Sequence, residues 1–231
     1  MIQELGRHFW RNHFYIPFTL FIVCALVIEF CGIDKILADY LYALEGGDWV
    51  LRNTWLAETL IHKAGRNLSL LLLLILLIAI GFSFTKSKVR VYRWQLIYLL
   101  VAAGGASLIV TLIKQLNHAS CPWDFARYGG KTEYATVFAE FLHGSGSDCF
   151  PAAHASAGYA WLALYFLGVY FKSSWRWAGL AFALGLGLVF GVTQQLRGAH
   201  FVSHDLWTLG ICWFFSLLLY RLMLWNKKSN G

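Results

Sequence analysis

The sequence is poor in charged residues. Asp, Glu, Lys and Arg together make up 13% of the chain, whereas hydrophobic residues make up 58% and the mean hydropathy is +0.56. A soluble globular domain carries about twice that charged fraction. The composition therefore excludes an ordinary soluble domain and predicts an integral membrane protein.

Several other signals are also missing. No internal repeat or low-complexity linker divides the 231 residues, so we expect a single domain over residues 1–231. No small-residue cleavage site follows the first apolar run, so we expect no cleavable signal peptide. The lack of a Walker-type glycine loop argues against a nucleotide kinase. The net charge of +7 is spread along the chain rather than gathered in one patch, which argues against nucleic-acid binding.

The chain does contain six apolar runs of the length that a bilayer requires, about 20 residues each. Together they predict an all-α, polytopic bundle of six transmembrane helices. The predicted spans are Phe14–Cys31, Leu68–Phe84, Trp94–Ile113, Ala152–Phe171, Ala178–Leu196 and Leu206–Trp225.

Basic residues beside these runs predict the orientation in the membrane. The two terminal segments and the second and fourth gaps carry eleven basic residues and one acidic residue, Glu4. The basic residues are Arg7, Arg11, Lys86, Lys88, Arg90, Arg93, Lys172, Arg176, Arg221, Lys227 and Lys228. Both termini are therefore expected in the cytoplasm, and the first, third and fifth gaps on the outer face.

The first outward gap has apolar residues at helical spacing between Ile33 and Leu44, with Asp34, Lys35 and Asp39 between them. This pattern predicts an amphipathic helix at the outer face. Either it lies on the membrane surface, or it packs on the top of the protein itself. The pattern leaves both possibilities open.

Polar residues collect at the outer face. Three segments that are distant in sequence end there, namely residues 114–124, 149–156 and 197–205. Six of the eight histidines also fall on this side: His62, His118, His143, His154, His200 and His204. Because ionisable residues at a membrane edge are costly, the convergence predicts a functional site.

The residue types suit phosphoryl transfer. Lys114 and Arg197 can neutralise phosphate oxygens, and arginine offers a bidentate fork. Pro151 is expected to form the first turn of the fourth helix and to place His154 at the helix N-terminus, where an anion is favoured. Two histidines on separate segments, His154 and His200, then offer a nucleophile and a general acid.

At these positions the sequence resembles the type 2 phosphatidic acid phosphatases. Their pattern is Lys-x6-Arg-Pro, then Pro-Ser-Gly-His, then Ser-Arg-x5-His-x3-Asp. In this chain Lys114 precedes Cys121-Pro122 by the same spacing, Pro151–His154 matches the second motif, and the third surrounds His200. The resemblance covers about residues 68–225 and extends to a bacterial branch with CPWD and RGAHF-x-SH motifs.

The chain departs from the family pattern in each motif. The departures are Cys121 for the first Arg, Ala152 and Ala153 for Ser and Gly, Thr193-Gln194 for Ser-Arg, and His204 for Asp. Arg197 lies three residues before His200 rather than six, a spacing that still shares a helical face. Arg127 is a candidate to replace the missing first Arg.

The resemblance implies a role for each residue. His200 would be the nucleophile that forms a phosphohistidine, His154 would protonate the leaving alcohol, and Lys114, Arg197 and Arg127 would bind phosphate. Each residue also has an ordinary alternative. His200 could be a histidine of an interfacial loop, and His154 a helix-capping histidine. Lys114 and Arg197 could simply extend their charged groups to the water at the membrane interface.

His204 and Asp205 compete for the role of orienting His200. An anion stabilises an imidazolium better than a neutral ring does, which favours Asp205. The spacing of the family pattern favours His204, because it lies four residues after His200, where the family has its Asp. Asp205 has a further alternative, since it falls in the first turn of the sixth helix, where an acidic residue is favoured. The sequence leaves this choice open.

Cys121 and Cys149 form the one cysteine pair outside the apolar runs. In an oxidising outer space they are expected to form a disulfide, and free thiols are the alternative. A zinc site that adds His118 and His143 to these cysteines is a rival, although the spacing matches no tight zinc motif.

The resemblance implies a metal-independent phosphatase, without cofactor, that acts on a phosphorylated membrane lipid in the bilayer. We expect it in a bacterial inner membrane with its site facing the periplasm. A lipid-to-lipid phosphotransferase and an anionic lipid carrier are the alternatives. Lipid A phosphate, polyprenyl diphosphate, phosphatidylglycerol phosphate and phosphatidic acid are all candidate substrates. The oligomeric state is left open.

Overall fold

A computed structural model describes residues 2–55, 64–144 and 146–225 of the chain. The outer-face histidine His62 and the C-terminal Lys227 and Lys228 lie outside the described residues. Within the described ranges the chain is helical, and the only strand-like pairing is a single bridge between Phe125 and Thr132. The all-α fold expected from the apolar runs is confirmed.

The helices differ widely in length, from one turn to six. They are α1 (Ile2–Trp10), α2 (Ile16–Phe30), α3 (Ile33–Leu44), α4 (Ala64–Thr85), α5 (Ser87–Arg90), α6 (Arg93–Leu116), α7 (Val137–His143), α8 (Ala153–Tyr159), α9 (Ala163–Tyr170), α10 (Arg176–Leu196) and α11 (Val202–Met223). A π-helical turn at Arg11–Tyr15 joins α1 to α2, and 3₁₀ turns lie at Val50–Asn53, Pro122–Asp124, Ala126–Tyr128 and Ala160–Leu162.

Among the described residues, five helical segments are long and apolar enough to cross a membrane. They are Gly6–Phe30, Asn67–Thr85, Arg93–Leu116, Arg176–Leu196 and Val202–Met223. The remaining predicted span is also helical, but the 3₁₀ turn at Ala160–Leu162 divides it into α8 and α9. The chain is therefore a polytopic helical membrane protein in which one span is interrupted.

The interrupted span lies at the centre of the bundle. Its residues Ala155, Leu162, Ala163 and Phe166 are fully buried, and α4, α6, α10 and α11 all pack against α8. In contrast, α2 buries none of its residues and contacts α11 through Phe21 against Trp207. The apolar surface of α2 thus faces outward, as expected of a helix at the lipid boundary.

The amphipathic helix α3 packs on the protein itself with one face. Asp34 and Ala38 are buried, and Ala38 joins an apolar cluster with Trp49, Phe125, Tyr128 and Phe201. The opposite face exposes Ile36, Tyr40 and Leu44. Of the two expected placements, packing on the protein is the one the structure shows. This helix covers the end of the bundle at which the polar motifs meet.

Candidate active site

The three polar segments meet at one end of the bundle, and main-chain hydrogen bonds join each segment to the other two. Trp123 N donates to Gly198 O (3.1 Å), Cys149 N to Ala119 O (2.8 Å) and Ala152 N to His204 O (3.4 Å). The first segment is therefore bonded to the third, the second to the first, and the second to the third. We call this arrangement the three-motif ring.

A disulfide adds a covalent link to the ring. Cys121 and Cys149 are bonded, with their Cα atoms 5.2 Å apart and 28 residues between them in sequence. The Asp124 carboxylate accepts a hydrogen bond from Cys121 N (2.9 Å) and closes the 3₁₀ turn that follows. His118 pairs with Asp148 at 2.7 Å. The sulfurs that a zinc site would need are thus bonded to each other, and His118 has a carboxylate partner.

His154 and His200 face each other across the site. The helix α8 begins at Ala153, with Ala152 as its N-cap, so His154 is its second residue. The expectation that Pro151 forms the first turn is wrong, because the helix starts two residues after it. His200 lies in the turn before α11 and is 3% exposed. The centroids of the two imidazole rings are 6.1 Å apart.

His204 lies directly behind His200. Their Nδ1 atoms are 3.3 Å apart, a contact in which one ring donates a hydrogen bond and the other accepts it. Asp205, one residue further along α11, points elsewhere: its Oδ2 accepts a hydrogen bond from Gln195 Nε2 of α10 at 2.5 Å. Of the two candidates that the sequence left open, His204 is the one in contact with His200.

A glycine on α10 makes room for Asp205. A Cβ atom at Gly191 would lie 2.7 Å from the Asp205 carboxylate, too close for any real side chain. Asp205 is buried, and its Oδ1 has no hydrogen-bond partner among the described residues. The close approach of α10 and α11 therefore directs Asp205 toward α10, while the neighbouring His204 is directed toward His200.

Of the three predicted phosphate-binding cations, Lys114 and Arg197 lie in the first and third segments of the three-motif ring. Arg197 is at the C-terminal end of α10 and is 8% exposed. Its Nε donates to the carbonyl of Arg52 (2.9 Å), and a terminal nitrogen donates to Gln194 Oε1 (3.2 Å). Lys114 is in the last turn of α6. The Arg197 contacts hold its guanidinium at the end of α10, against Arg52 of the first outward segment.

The surroundings of His200 keep its ring neutral. Burial lowers the pKa of His200 well below its ordinary value of 6.5. Positive charge on His204, Lys114 and His154 lowers the pKa further, and the Cys149 carbonyl opposes these effects. At neutral pH the ring is therefore uncharged and holds a lone pair for nucleophilic attack. The same effects show that Lys114 and His154 lie within electrostatic range of His200.

Arg127 has a different partner from the one predicted. Its Nε and a terminal nitrogen donate to the two carboxylate oxygens of Asp39, at 2.5 and 2.6 Å, and Tyr128 also donates to Asp39 (2.9 Å). The Arg127 hydrogen bond holds the pKa of Asp39 below its ordinary value. The structure thus shows Arg127 fastening α3 to the loop after the first motif, and its phosphate-binding role stays a prediction.

The first outward segment contributes contacts that the motifs did not predict. Asp34 of α3 accepts a hydrogen bond from Ser203 N (2.9 Å), the first turn of α11. Trp49 packs under Gly198, whose φ of +67° and lack of a Cβ allow this close approach. Burial raises the pKa of Asp34 to about 6. In the sequence, the contact of Asp34 could be suspected only because an acidic residue lies on the apolar side of the amphipathic pattern. Nothing in the sequence indicated the contact of Trp49.

A mostly apolar cavity of about 280 Å³ opens beside His154. It lies between α4, α6, α8 and α10, with Leu70, Leu73 and Phe190 among its apolar lining residues and Ser107 and Thr111 among its polar ones. A site with His154 at one end and an apolar cavity next to it suits a molecule that has a polar group attached to a hydrocarbon chain.

Comparison with known proteins gives one family. The model of the PAP2 superfamily matches residues 95–228, which is more than half of the chain and includes all three polar segments. No curated protein and no solved structure matches the chain.

Proposed function

Because the chain belongs to the PAP2 superfamily, whose members are phosphatase-like, we propose that it is a membrane lipid phosphatase. It would hydrolyse a phosphate monoester or diphosphate of a lipid through a phosphohistidine on His200. The observation that carries this proposal is the pair of opposed histidines, 6.1 Å apart between ring centroids, with His204 behind the proposed nucleophile.

In the first step the Nε2 lone pair of His200 attacks phosphorus. The P–O bond to the lipid breaks in line, and His154 transfers a proton to the leaving oxygen. For Nε2 to hold the lone pair, Nδ1 must hold the proton, and His204 Nδ1 is placed to accept that hydrogen bond. Lys114 and Arg197 would offset the charge on the phosphoryl oxygens.

In the second step water attacks phosphorus. His154, now neutral, takes a proton from the water as the P–N bond breaks, so that inorganic phosphate leaves and His200 recovers its lone pair. In a phosphotransferase, a second lipid hydroxyl would replace water in this step. Both reactions use the same residues of this chain, and they differ in the product that carries the phosphate.

The apolar cavity beside His154 supports a lipid as the substrate. One or more hydrocarbon chains would occupy the cavity between α4, α6, α8 and α10, while the phosphate meets the histidine pair. Lipid A phosphate, polyprenyl diphosphate, phosphatidylglycerol phosphate and phosphatidic acid all have this form. From the resemblance to a bacterial branch of the family, we further propose a location in a bacterial inner membrane. The distribution of basic residues between the gaps supports a site on the periplasmic face.

The proposal is tested with purified protein in detergent micelles and ³²P-labelled lipids. Wild type should release inorganic phosphate and, after rapid denaturation, retain acid-labile label on the protein, and His200→Ala should do neither. Activity that disappears with chelator and returns with a divalent ion would contradict the metal-independent mechanism. Label that passes to a second lipid identifies the phosphotransferase, and lipid transport without hydrolysis identifies a carrier.

A further inference from the structure

A second, water-facing cleft lies next to the three-motif ring. It has a volume of about 400 Å³, and its lining includes Arg52, Trp123, Asp124 and Lys131. Unlike the cavity beside His154, this cleft is open and about equally polar and apolar in its lining. It shares no lining residue with that cavity. The two spaces are thus separate approaches to the same end of the bundle.

Arg52 is held over the cleft by an aromatic ring. Its guanidinium carbon lies 4.1 Å from the centre of the Trp123 ring, a cation–π contact. The main chain of Arg52 is fixed as well, because its carbonyl accepts the Arg197 Nε hydrogen bond at 2.9 Å. One residue therefore faces the cleft with its side chain and supports Arg197 with its backbone.

Lys131 is held by a tight loop. The Asp124 carbonyl accepts hydrogen bonds from Lys131 N (2.8 Å), from Thr132 N (2.9 Å) and from the Thr132 hydroxyl (2.8 Å). Gly130 allows this, since a Cβ there would lie 2.1 Å from the same carbonyl oxygen. The backbone on which the Lys131 ammonium is carried is therefore fixed relative to Trp123, the residue beneath Arg52.

The lining of the cleft carries two cations against one acid. The acid is Asp124, and one of its oxygens already accepts a hydrogen bond from Cys121 N. The arrangement favours an anion in the cleft. The phosphate under attack does not need the cleft, because we propose that Arg197 and Lys114 bind that phosphate. The cleft is placed instead for an anionic group farther out on the same headgroup.

We propose that this cleft binds a second phosphate group of the substrate, and that the protein prefers lipids whose headgroup carries two phosphates. The inference rests on the proposed lipid phosphatase function. Two kinds of lipid supply such a group: a diphosphate, in which the second phosphate is joined to the first, and a lipid with a second phosphate elsewhere on its headgroup. Both would place negative charge between Arg52 and Lys131.

The test compares wild type, Arg52→Gln, Lys131→Gln and the double variant on polyprenyl diphosphate, phosphatidylglycerol phosphate and phosphatidic acid. Each single substitution should lower kcat/KM for one or both lipids with two phosphates by roughly tenfold through loss of a charge-assisted contact. The rate on phosphatidic acid should change less than about twofold, because the residues around the attacked phosphate are intact. A loss of rate on polyprenyl diphosphate indicates a second phosphate joined to the first, and a loss on phosphatidylglycerol phosphate indicates one elsewhere on the headgroup. Lys35→Gln, which removes one charge from the same face, should behave as wild type.

Equal losses on phosphatidic acid and on the two other lipids would overturn the proposal, as would no loss on any. A binding measurement separates this result from failure of the catalytic assignment. His200→Ala protein should bind at least one lipid with two phosphates more tightly than the matching lipid with one. The pairs are polyprenyl diphosphate against polyprenyl monophosphate, and phosphatidylglycerol phosphate against phosphatidic acid. The double substitution should abolish that difference. If wild type hydrolyses none of the lipids, the proposed function fails, and the binding difference still decides whether the cleft recognises a second phosphate.

Discussion

His200, just before α11, and His204, in its first turn, face each other through their Nδ1 atoms, which are 3.3 Å apart. The pairing leaves Nε2 of His200 as the nitrogen directed away from His204. The imidazole of His204 occupies the place where the family pattern has an aspartate. The orienting role is therefore testable at two adjacent positions.

We expect His204→Ala to lower kcat by roughly 10²–10⁴-fold, because the proton on His200 would no longer be held on Nδ1. Asp205→Asn should lower kcat much less, since Asp205 contacts Gln195 rather than His200. Phosphate release from a lipid substrate gives both values. A larger loss for Asp205→Asn than for His204→Ala would assign the orienting role to Asp205.

The two predicted phosphate-binding arginines should respond differently to replacement. Arg197→Ala should lower kcat/KM by roughly 10–10³-fold, since the buried guanidinium proposed to bind the phosphate is removed. Arg127→Ala should lower it only a few-fold. The reason is that Arg127 bonds to Asp39, so Asp39→Ala should have the same effect and the double variant no more. An Arg127→Ala loss as large as that of Arg197→Ala, without any effect of Asp39→Ala, would instead place Arg127 on the phosphate.

The Cys121–Cys149 disulfide should contribute to stability. In the chain-entropy model a loop of this length contributes about 3–4 kcal/mol, so replacing both cysteines by alanine should lower the thermal midpoint by several degrees. Activity should also fall, because the Cys149 carbonyl lies against His200. Cys24→Ala, which removes a free cysteine of α2, is the control and should change neither quantity. An unchanged midpoint in the double variant would show that the bridge does not form.

Asp34→Asn should alter how stability depends on pH. The folded-state pKa of Asp34, about 6, lies above its ordinary value of 3.8, so ionised Asp34 disfavours the folded state. That cost is absent below about pH 4 and complete above about pH 6, where it amounts to about 3 kcal/mol. The variant keeps an oxygen for Ser203 N and should therefore be more stable than wild type near pH 8, with the difference shrinking toward pH 4.

Asp39→Asn provides a control of opposite sign. The pKa of Asp39 is lowered by Arg127, so its ionised form favours the folded state and the variant should lose stability at neutral pH. Thermal midpoints in detergent, measured across this pH range, check both variants. If the two variants showed parallel pH dependence, the two carboxylates would not act on stability with opposite signs.

Gly191→Ala should destabilise the protein by about 1–3 kcal/mol, because the added methyl group meets the Asp205 carboxylate. The matched control is Gly185→Ala, six residues earlier on α10, where nothing lies within 4 Å of the new methyl group. That substitution should be neutral or stabilising by up to about 1 kcal/mol. If the two variants unfold at the same temperature, the Asp205 carboxylate does not pack closely enough against Gly191 to exclude a methyl group.

The convergence of the three motifs was predictable from the sequence, because basic residues in alternate gaps place all three segments at one face. The fold class followed from the length and spacing of the apolar runs. The choice between His204 and Asp205 was not predictable. Adjacent helical residues differ by about 100° in direction, and which of them faces His200 depends on the rotation of α11 against α10. In the observed rotation the Asp205 carboxylate packs against Gly191.

The contacts that the first outward segment makes with the site also could not be predicted from the sequence. Asp34 and Ser203 are 169 residues apart, and no local pattern links an acidic residue in one helix to the first amides of another. The division of the central span into α8 and α9 was equally hard to predict, since no proline and no Asp, Glu, Lys or Arg lies between Ala152 and Phe171. The 3₁₀ turn at Ala160–Leu162 lies where other helices pack around this span, and such packing cannot be inferred from the apolar run alone.

The three-motif ring has a consequence for how substrate reaches the site. Since each motif is bonded to the other two by its main chain, no single helix end can swing outward without breaking two of the three links. Such a site is preorganised, with the nucleophile and the cations oriented before any substrate arrives. The adjustment then falls on the lipid, whose headgroup must leave its place among its neighbours in the bilayer to meet the histidine pair.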